Sequence, residues 1–288
     1  MSPAVALRLG RVSNLPTVWT NALAGVALAG ASPWHWAVLP AALGLSLAYV
    51  GGMFLNDAFD RAIDARERPS RPIPSGAAEA NTVFALGFAS LLGGVAMLLT
   101  AACGFGVPTE WAVLAGLALC GAVIAYNWHH KGNPLSPLWM GACRVLAYLS
   151  AGLAAAAVLP APLLAAAAVS LCYLIGLTYA AKQESLGRIG NLWPLLFLAA
   201  PLAYGAWLAD SAAEWLALSA LAAWIGVALA LLRRRRPGDI PRAVVSLIAG
   251  IALLDAMFLA IAGWPGAAPL ALGCFAATLA MQRWISGT

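Results

Sequence analysis

Oxygen-bearing side chains recur at four-residue intervals where the second apolar segment of the sequence ends. Asn56, Asp60 and Asp64 follow an apolar run without a helix breaker, so a continuous helix would carry them along one face. Asp57 stands next to that face. Carboxylates crowded at the end of an apolar helix repel one another and are costly to desolvate, so a cation is their natural partner. Mg²⁺ suits this arrangement, because one or two carboxylates together with substrate phosphates usually hold it.

The segment that follows supplies the complementary positive charge. It holds these arginines and prolines: Arg61, Arg66, Arg68, Arg71, Pro69, Pro72 and Pro74. Guanidinium groups present forked donors to phosphate oxygens, and prolines stiffen the loop that carries them. Carboxylates and arginines beside an apolar chamber predict a site for a lipid with a diphosphate head. The alternative is a solvated helix end whose charges only set the topology.

The elements that position these residues follow from composition. Of 288 residues, 62% are hydrophobic and 9% are charged, against about 25% charged in soluble domains, which excludes a soluble globular protein. The apolar segments approach the ~20 residues of a membrane span, and only helices satisfy their own backbone there. Ten spans are predicted, near 15–31, 35–58, 82–103, 110–128, 137–158, 162–181, 190–209, 213–232, 243–263 and 267–284. We expect an all-α polytopic membrane protein forming one domain, residues 1–288.

The distribution of Lys and Arg predicts the topology, because cytoplasmic loops are enriched in them. Alternate turns hold twelve of the 16 Lys and Arg residues: Arg61, Arg66, Arg68, Arg71, Lys131, Lys182, Arg188, Arg233 to Arg236 and Arg242. We therefore expect both termini, and loops at about 59–80, 127–136 and 182–190, on the cytoplasmic side. The net charge of +5 is explained by this topology, so the expected partner is the lipid bilayer and not a nucleic acid.

A resemblance to a known family rests on these motifs. Asn56-Asp57-x-x-Asp60-x-x-x-Asp64, followed by Arg68-Pro-Ser-Arg71-Pro72-Ile-Pro-Ser75-Gly76, resembles the first signature of the UbiA superfamily of intramembrane prenyltransferases. The resemblance implies a bundle of nine transmembrane helices, here with a tenth C-terminal helix. It also implies that Asn56, Asp60 and Asp64 hold Mg²⁺ on a prenyl diphosphate, with Asp57 as a further candidate ligand. Arg68 and Arg71 would then bind the diphosphate.

A second match lies at the end of the fourth span. The stretch from Tyr126 to Lys131 resembles the family element with a Tyr followed by a basic residue. The resemblance implies that Lys131 contacts phosphate and that Tyr126, with Tyr179, lines the substrate chamber. Taken alone, a Tyr and a Lys at a membrane boundary are more typical of an interfacial belt and a snorkelling anchor.

The sequence departs from the family at the end of the sixth span, where a second Asp motif is usual. The two Asp positions correspond to Ala181 and Ser185. Lys182 and Arg188 could replace one metal electrostatically, or Glu184 could hold a second ion in a shifted geometry. A third alternative is that ionisation has been lost. The departure resembles a divergent branch of the family, such as the EboC-like one.

The expected function is Mg²⁺-dependent transfer of a prenyl group from an isoprenoid diphosphate to an acceptor that the sequence does not identify. Asp60, Asp64 and Lys182 are the expected catalytic residues. The alternatives are a non-catalytic prenyl-lipid binder or partner subunit and, from another class, a secondary transporter. Asp255, inside a late span, would be the coupling residue of such a transporter.

Overall fold

The structure is a computed structural model that describes the chain apart from residues 132, 134, 187–192, 286 and 288. For residues 183–186 it describes the backbone only. Throughout this described part, every regular element is helical. The all-α prediction is therefore confirmed.

Eleven α-helices are described: α1 (Pro3–Leu9), α2 (Leu15–Leu28), α3 (Val38–Glu67), α4 (Ala80–Phe105), α5 (Thr109–His129), α6 (Ser136–Leu153), α7 (Ala161–Leu186), α8 (Ala200–Leu208), α9 (Ala212–Arg234), α10 (Asp239–Ile261) and α11 (Ala268–Met281). Short 3₁₀ turns precede α2, α8 and α11. Each of the ten predicted spans overlaps one of these helices, and α1 is the additional element. Its first turn begins at Ser2, whose hydroxyl accepts from the backbone of Val5.

Six of the described helices are long and apolar enough to cross a membrane: Val38–Glu67, Ala80–Phe105, Thr109–His129, Ala161–Lys182, Ala212–Arg234 and Asp239–Ile261. Shorter apolar helical stretches cover Trp193–Leu208 and Pro265–Met281. The protein is accordingly a multi-pass membrane protein. Helix α10 lies at the centre of the bundle, where most of its residues are buried against neighbouring helices.

Glycines bring the middle parts of α3 and α4 into close contact. A Cβ atom added to Gly51 would lie 2.7 Å from the carbonyl oxygen of Gly87, and one added to Gly44 would lie 2.9 Å from that of Gly94. Such close backbone contact requires residues without side chains, as is usual where helices associate inside membranes. This packing fixes α3, which carries the acidic residues, against the bundle.

Helix α3 runs without interruption from Val38 to Glu67, so the predicted helical spacing of its polar residues is confirmed. It ends at Arg68, whose backbone N–H donates to the carbonyl oxygen of Asp64. The loop that follows turns back on itself through backbone hydrogen bonds from Arg71 to Arg68 and from Ser75 to Arg71. As a result Arg71 returns to the acidic end of α3.

Candidate active site

The acidic end of α3 buries four polar residues on one side, while Arg61, Arg66 and Glu67 on the other are exposed. Asn56, Asp57, Asp60 and Asp64 are each less than one tenth exposed, and Asp64 is only 1% exposed. Buried carboxylates are stable only when paired or bound to a cation. Their partners therefore determine what this site can do.

Arg71 joins two of the carboxylates. Its Nη1 atom lies 3.0 Å from Oδ1 of Asp57 and 2.9 Å from Oδ2 of Asp64. Arg11, from the segment between α1 and α2, adds its Nη2 atom at 3.2 Å from Oδ1 of Asn56 and 3.4 Å from Oδ1 of Asp57. Two arginines from distant parts of the chain thus neutralise one side of the acidic helix end.

Asp60 pairs with a different set of basic residues. Its Oδ2 atom lies 3.4 Å from Nε2 of His130 and 3.4 Å from Nζ of Lys131, both just beyond the end of α5. The ring of Tyr126 stacks on the His130 ring, with 4.9 Å between centroids. The structure therefore brings together Asp60, Lys131 and Tyr126, which the sequence placed in one site.

Asn127 connects α3 and α5 beneath these ion pairs. Its Nδ2 donates to the carbonyl oxygen of Gly52 at 2.9 Å, and its Oδ1 accepts from Nδ2 of Asn56 at 3.1 Å. With its amide nitrogen held by Asn127, Asn56 turns its Oδ1 towards Arg11. Asn127 is thus a buried positioning residue for one of the predicted metal ligands.

Other predicted site residues occupy more varied positions. Arg68 is exposed in the loop after α3, while Lys182 donates from Nζ to the carbonyl oxygen of Asn133 at 3.0 Å. Tyr179 is half-buried on α7. The side chain of Glu184 and the whole of Arg188 lie outside the described residues.

The sequence interpretation assigned no role to three residues of this cluster. Arg11 belongs to none of the motifs described above. Asn127 and His130 fall within the stretch from Tyr126 to Lys131 but have no predicted role, and no acidic residue lies near His130 in the sequence. The acidic partner, Asp60, comes instead from α3 across the bundle. No local pattern could have indicated these contacts.

The donor atoms fit a magnesium site of the kind completed by phosphate. The side chains offer oxygen ligands only from Asn56 and the aspartates, and Oδ1 of buried Asp64 has no hydrogen-bond partner among the described residues. Within that same part of the chain, no group of three or more His, Cys, Asp or Glu residues is arranged to hold a metal by itself. The arrangement therefore suits an ion that takes one or two carboxylates and further oxygens from a bound phosphate.

An apolar cavity begins directly beside this cluster. It contains about 700 Å³ of space not filled by protein atoms, part of it open to the outside. Gly52, Asn127 and Tyr126 line it near the acidic end of α3, while Tyr179 is not among its lining residues. Much of the remaining wall is apolar, formed by residues such as Leu45, Leu119 and Leu174. The charged cluster thus adjoins an apolar chamber through Asn127, which binds Asn56, and Tyr126, which stacks on His130.

Comparisons with curated proteins give relatives of one functional kind. Digeranylgeranylglyceryl phosphate synthase of Methanopyrus kandleri is 34% identical over 132 residues, which are 45% of this chain and 45% of that protein. Chlorophyll synthase of Oryza sativa is 35% identical over 38% of this chain and 30% of its own length. Protoheme IX farnesyltransferase of Koribacter versatilis is 30% identical over 45% of this chain and 41% of its own length. The chain spans less than half the length of these curated relatives.

The fold has a solved counterpart. A structure described as that of digeranylgeranylglyceryl phosphate synthase in membranes superposes with a TM-score of 0.62 at 17% identity, covering 90% of this chain and 97% of the other. At this identity the likeness shows the fold alone. Residues 17–248, most of the chain, match the UbiA prenyltransferase family, so the chain belongs to that family.

Proposed function

We propose that this protein transfers a prenyl group from an isoprenoid diphosphate to an acceptor within the membrane, with Mg²⁺ as cofactor. Prenyltransferases of this family are generally metal-dependent. The whole chain, residues 1–288, would act as one domain with both termini and the loops around 59–80, 127–136 and 182–190 on the cytoplasmic side. The one-sided distribution of Lys and Arg supports this orientation.

One observation carries the proposal: buried carboxylates and basic side chains alternate next to an apolar cavity, whose lining residues Asn127 and Tyr126 contact the cluster. Asp60 faces Lys131 and His130, and Asp57 and Asp64 face Arg71. An isoprenoid diphosphate has the same division, with a highly charged head and an apolar tail. The cluster suits the head, and the cavity suits the tail.

The basic residues would bind the diphosphate. Arg71 and Lys131 are already held beside the acidic helix end, so their donors are close to where a metal-bound head would lie. Arg68, exposed in the loop, could reach the outer phosphate. Arg188 would contribute from the end of the sixth predicted span.

Asn56, Asp60 and Asp64 would hold Mg²⁺, with Asp57 beside them, and the ion would neutralise the diphosphate and help it to leave. The acidic side chains release their present partners when the diphosphate attracts those cations instead. The unpartnered Oδ1 atom of Asp64 supports this assignment, because it is an available oxygen in a buried position. Glu184 remains a further candidate ligand.

The transfer itself requires a dry chamber more than a reactive side chain. The C–O bond of the allylic diphosphate breaks, the diphosphate leaves with the electron pair, and a nucleophilic atom of the acceptor attacks the allylic carbon and then loses its proton. The apolar cavity beneath Asn127 would exclude water, which would otherwise capture the allylic cation. Lys182 would offset negative charge that grows on the leaving group. Tyr126 would line the chamber, whereas Tyr179 is not among the residues that line the cavity.

A second candidate function is binding of a prenyl lipid without transfer, alone or as a partner subunit. It is favoured by the cation at Lys182 and by Ala181 and Ser185 at the positions of the family's second Asp motif. The secondary transporter is not supported to the same degree, because the charged cluster lies at helix ends and the chain belongs to a prenyltransferase family.

The test uses purified full-length protein in detergent with radiolabelled allylic diphosphates of several lengths, with Mg²⁺ or with a chelator. An enzyme releases diphosphate and forms prenylated product only with Mg²⁺. Binding without release, whatever acceptor extract is supplied, would favour the non-catalytic function. If no prenyl diphosphate binds at all, both candidates are wrong.

A further inference from the structure

A second polar cluster lies inside the bundle, away from the acidic end of α3. Asp255 on α10 is completely buried. Its carboxylate accepts hydrogen bonds from the hydroxyls of Thr20 and Tyr148 and, at 3.2 Å, from the side-chain amide of Asn21. A carboxylate in a spanning helix is costly unless it is satisfied in this way, and such residues commonly have a function. The proposed transfer mechanism does not use Asp255.

Asn21 links this carboxylate to an arginine. Its amide oxygen accepts from Nη1 of Arg144, and the same Nη1 atom lies 3.3 Å from the carbonyl oxygen of Thr17. Among the described residues, no carboxylate lies within 4.0 Å of Arg144. The amide of Asn21 thus stands between the positive and the negative group. Arg144 is therefore held in place without a direct counter-ion.

Arg144 and Asn21 both line the apolar cavity described above. A guanidinium group has five N–H donors, and the hydrogen bonds of Arg144 within the described chain all start from Nη1. Donors on Nε and Nη2 remain for a molecule in the cavity. Arg144 lies about 12 Å along α6 from its first residue, at the usual helical rise, so it is well separated from the loops.

The chemistry of the two substrates decides which of them this arginine fits. A fixed positive charge near the allylic carbon would oppose the positive charge that grows there during ionisation. The tail of the prenyl donor is uncharged and gains nothing from a guanidinium group. A carboxylate or phosphate, by contrast, can accept paired hydrogen bonds from one.

We propose that Arg144, fixed by Asn21 and Thr17, binds an oxyanion group, a carboxylate or a phosphate, on the acceptor substrate. This inference rests on the proposed prenyl transfer, and it narrows the acceptor to an anionic molecule whose charged group enters the apolar cavity. Asp255 acts as a positioning residue, because it holds the amide of Asn21 that in turn holds Arg144. The alternative is that Arg144 merely ties α6 to α2.

The first experiment measures the binding of small soluble probes to the full-length protein in detergent by calorimetry. Benzoate and phenyl phosphate carry the oxyanion, and benzamide is the uncharged match for benzoate. We expect at least one of the two anions to bind about tenfold or more tightly than benzamide. Which anion is favoured distinguishes a carboxylate from a phosphate acceptor. Equal and weak binding of all three probes would overturn the proposal.

Variants of Arg144 then test whether this residue causes the preference for the anionic probe over benzamide. Arg144→Gln should abolish it, whereas Arg144→Lys, which keeps the charge, should retain part of it. Anion preference unchanged in Arg144→Gln would overturn the assignment. If Arg144→Gln does not fold, the comparison of wild type with Arg144→Lys still decides, because loss of the paired donors should weaken binding of the favoured anion and leave benzamide binding unchanged. An equal affinity for the favoured anion in these two proteins would contradict the proposal.

Two controls separate this site from the donor site. Asp60→Asn should lose prenyl diphosphate binding and keep the preference for the anionic probe. Saturating inorganic diphosphate with Mg²⁺ should leave the affinity for that probe unchanged. Competition between the two would place Arg144 in the donor site and overturn the inference. A protein that prefers the anion but never transfers a prenyl group would contradict the proposed function and leave the oxyanion site in place.

Discussion

The carboxylate of Asp60 lies 3.4 Å from the ammonium nitrogen of Lys131. Asp60 belongs to the long helix α3, and Lys131 follows the end of α5, so the contact joins two motifs that are far apart in the sequence. Asp60 is a predicted metal ligand, and Lys131 is a predicted contact of the phosphate. Because the Lys131 side chain is 39% exposed, its ammonium group can leave the carboxylate for a phosphate oxygen without unfolding either helix.

Asp60→Asn should weaken Mg²⁺-dependent binding of a prenyl diphosphate by about 10- to 100-fold or more, because it removes a proposed ligand charge while keeping the shape. Equilibrium binding of radiolabelled prenyl diphosphate with and without a chelator measures this change. The matched control is Asp210→Asn, since Asp210 is exposed in the turn between α8 and α9. Equal retention of binding in both variants would reject the site.

Arg71 and Arg68 should have separable effects. Arg71→Gln leaves the buried carboxylates of Asp57 and Asp64 without their shared cation, so we expect a lower melting temperature as well as weaker diphosphate binding. Arg68→Gln should weaken binding without changing the melting temperature, because the side chain is exposed. Thermal unfolding followed by tryptophan fluorescence provides the first measurement. An unchanged melting temperature for Arg71→Gln would mean that the ion pairs contribute little to stability.

Asn127→Ala should lower the affinity for Mg²⁺ although Asn127 is not a proposed ligand. Its side chain holds the amide of Asn56, and residues that orient metal ligands typically contribute about 10- to 100-fold in affinity. Titration of Mg²⁺ against prenyl diphosphate binding measures the effect. The control is Trp128→Ala, which changes an exposed neighbour on the same helix. Equal Mg²⁺ affinities for the two variants would show that Asn56 needs no such support.

More of the fold than of the candidate site could be predicted from the sequence. Inside a membrane the backbone N–H and C=O groups must form their hydrogen bonds within the protein, which favours helices. The lengths of the apolar segments and the positions of helix-breaking residues therefore predict where the helices lie. The continuation of α3 through Asp64 followed from the lack of a breaker, and the motif in that helix is local. Contacts that span the bundle leave no such pattern. Arg11 meets Asn56 across 45 residues, and Asn56 meets Asn127 across 71.

The membrane orientation gives a prediction independent of substrates. A reporter fused after Gly76 or Arg236 should be cytoplasmic, and one fused after Pro108 or Trp264 should be external, because Lys and Arg accumulate in the former turns. Alkaline phosphatase and green fluorescent protein fusions read the two sides in opposite senses. A cytoplasmic signal at Trp264 would mean that the last apolar helix, α11, does not cross the membrane.

Lys182 tests the departure from the family's second Asp motif. Its Nζ donates to the carbonyl oxygen of Asn133 in the loop after α5, the same loop that carries Lys131. If Lys182 offsets charge on the departing diphosphate, Lys182→Met should slow transfer far more than it weakens binding, since that charge is greatest in the transition state. The loss should raise the barrier by roughly 2–4 kcal/mol, as removal of one preorganised donor does.

The matched variant is Lys182→Arg, which keeps the cation and should retain much of the rate. Single-turnover release of diphosphate separates the chemical step from binding, which is measured in parallel. Normal turnover by Lys182→Met would show that the cation is incidental and direct attention to Glu184. If wild type binds but never releases diphosphate, while Ala181→Asp with Ser185→Asp and Lys182→Met creates turnover, the chain is a binder derived from an enzyme. That outcome would follow from restoring the second acidic motif, which can then hold the metal charge that Lys182 cannot replace.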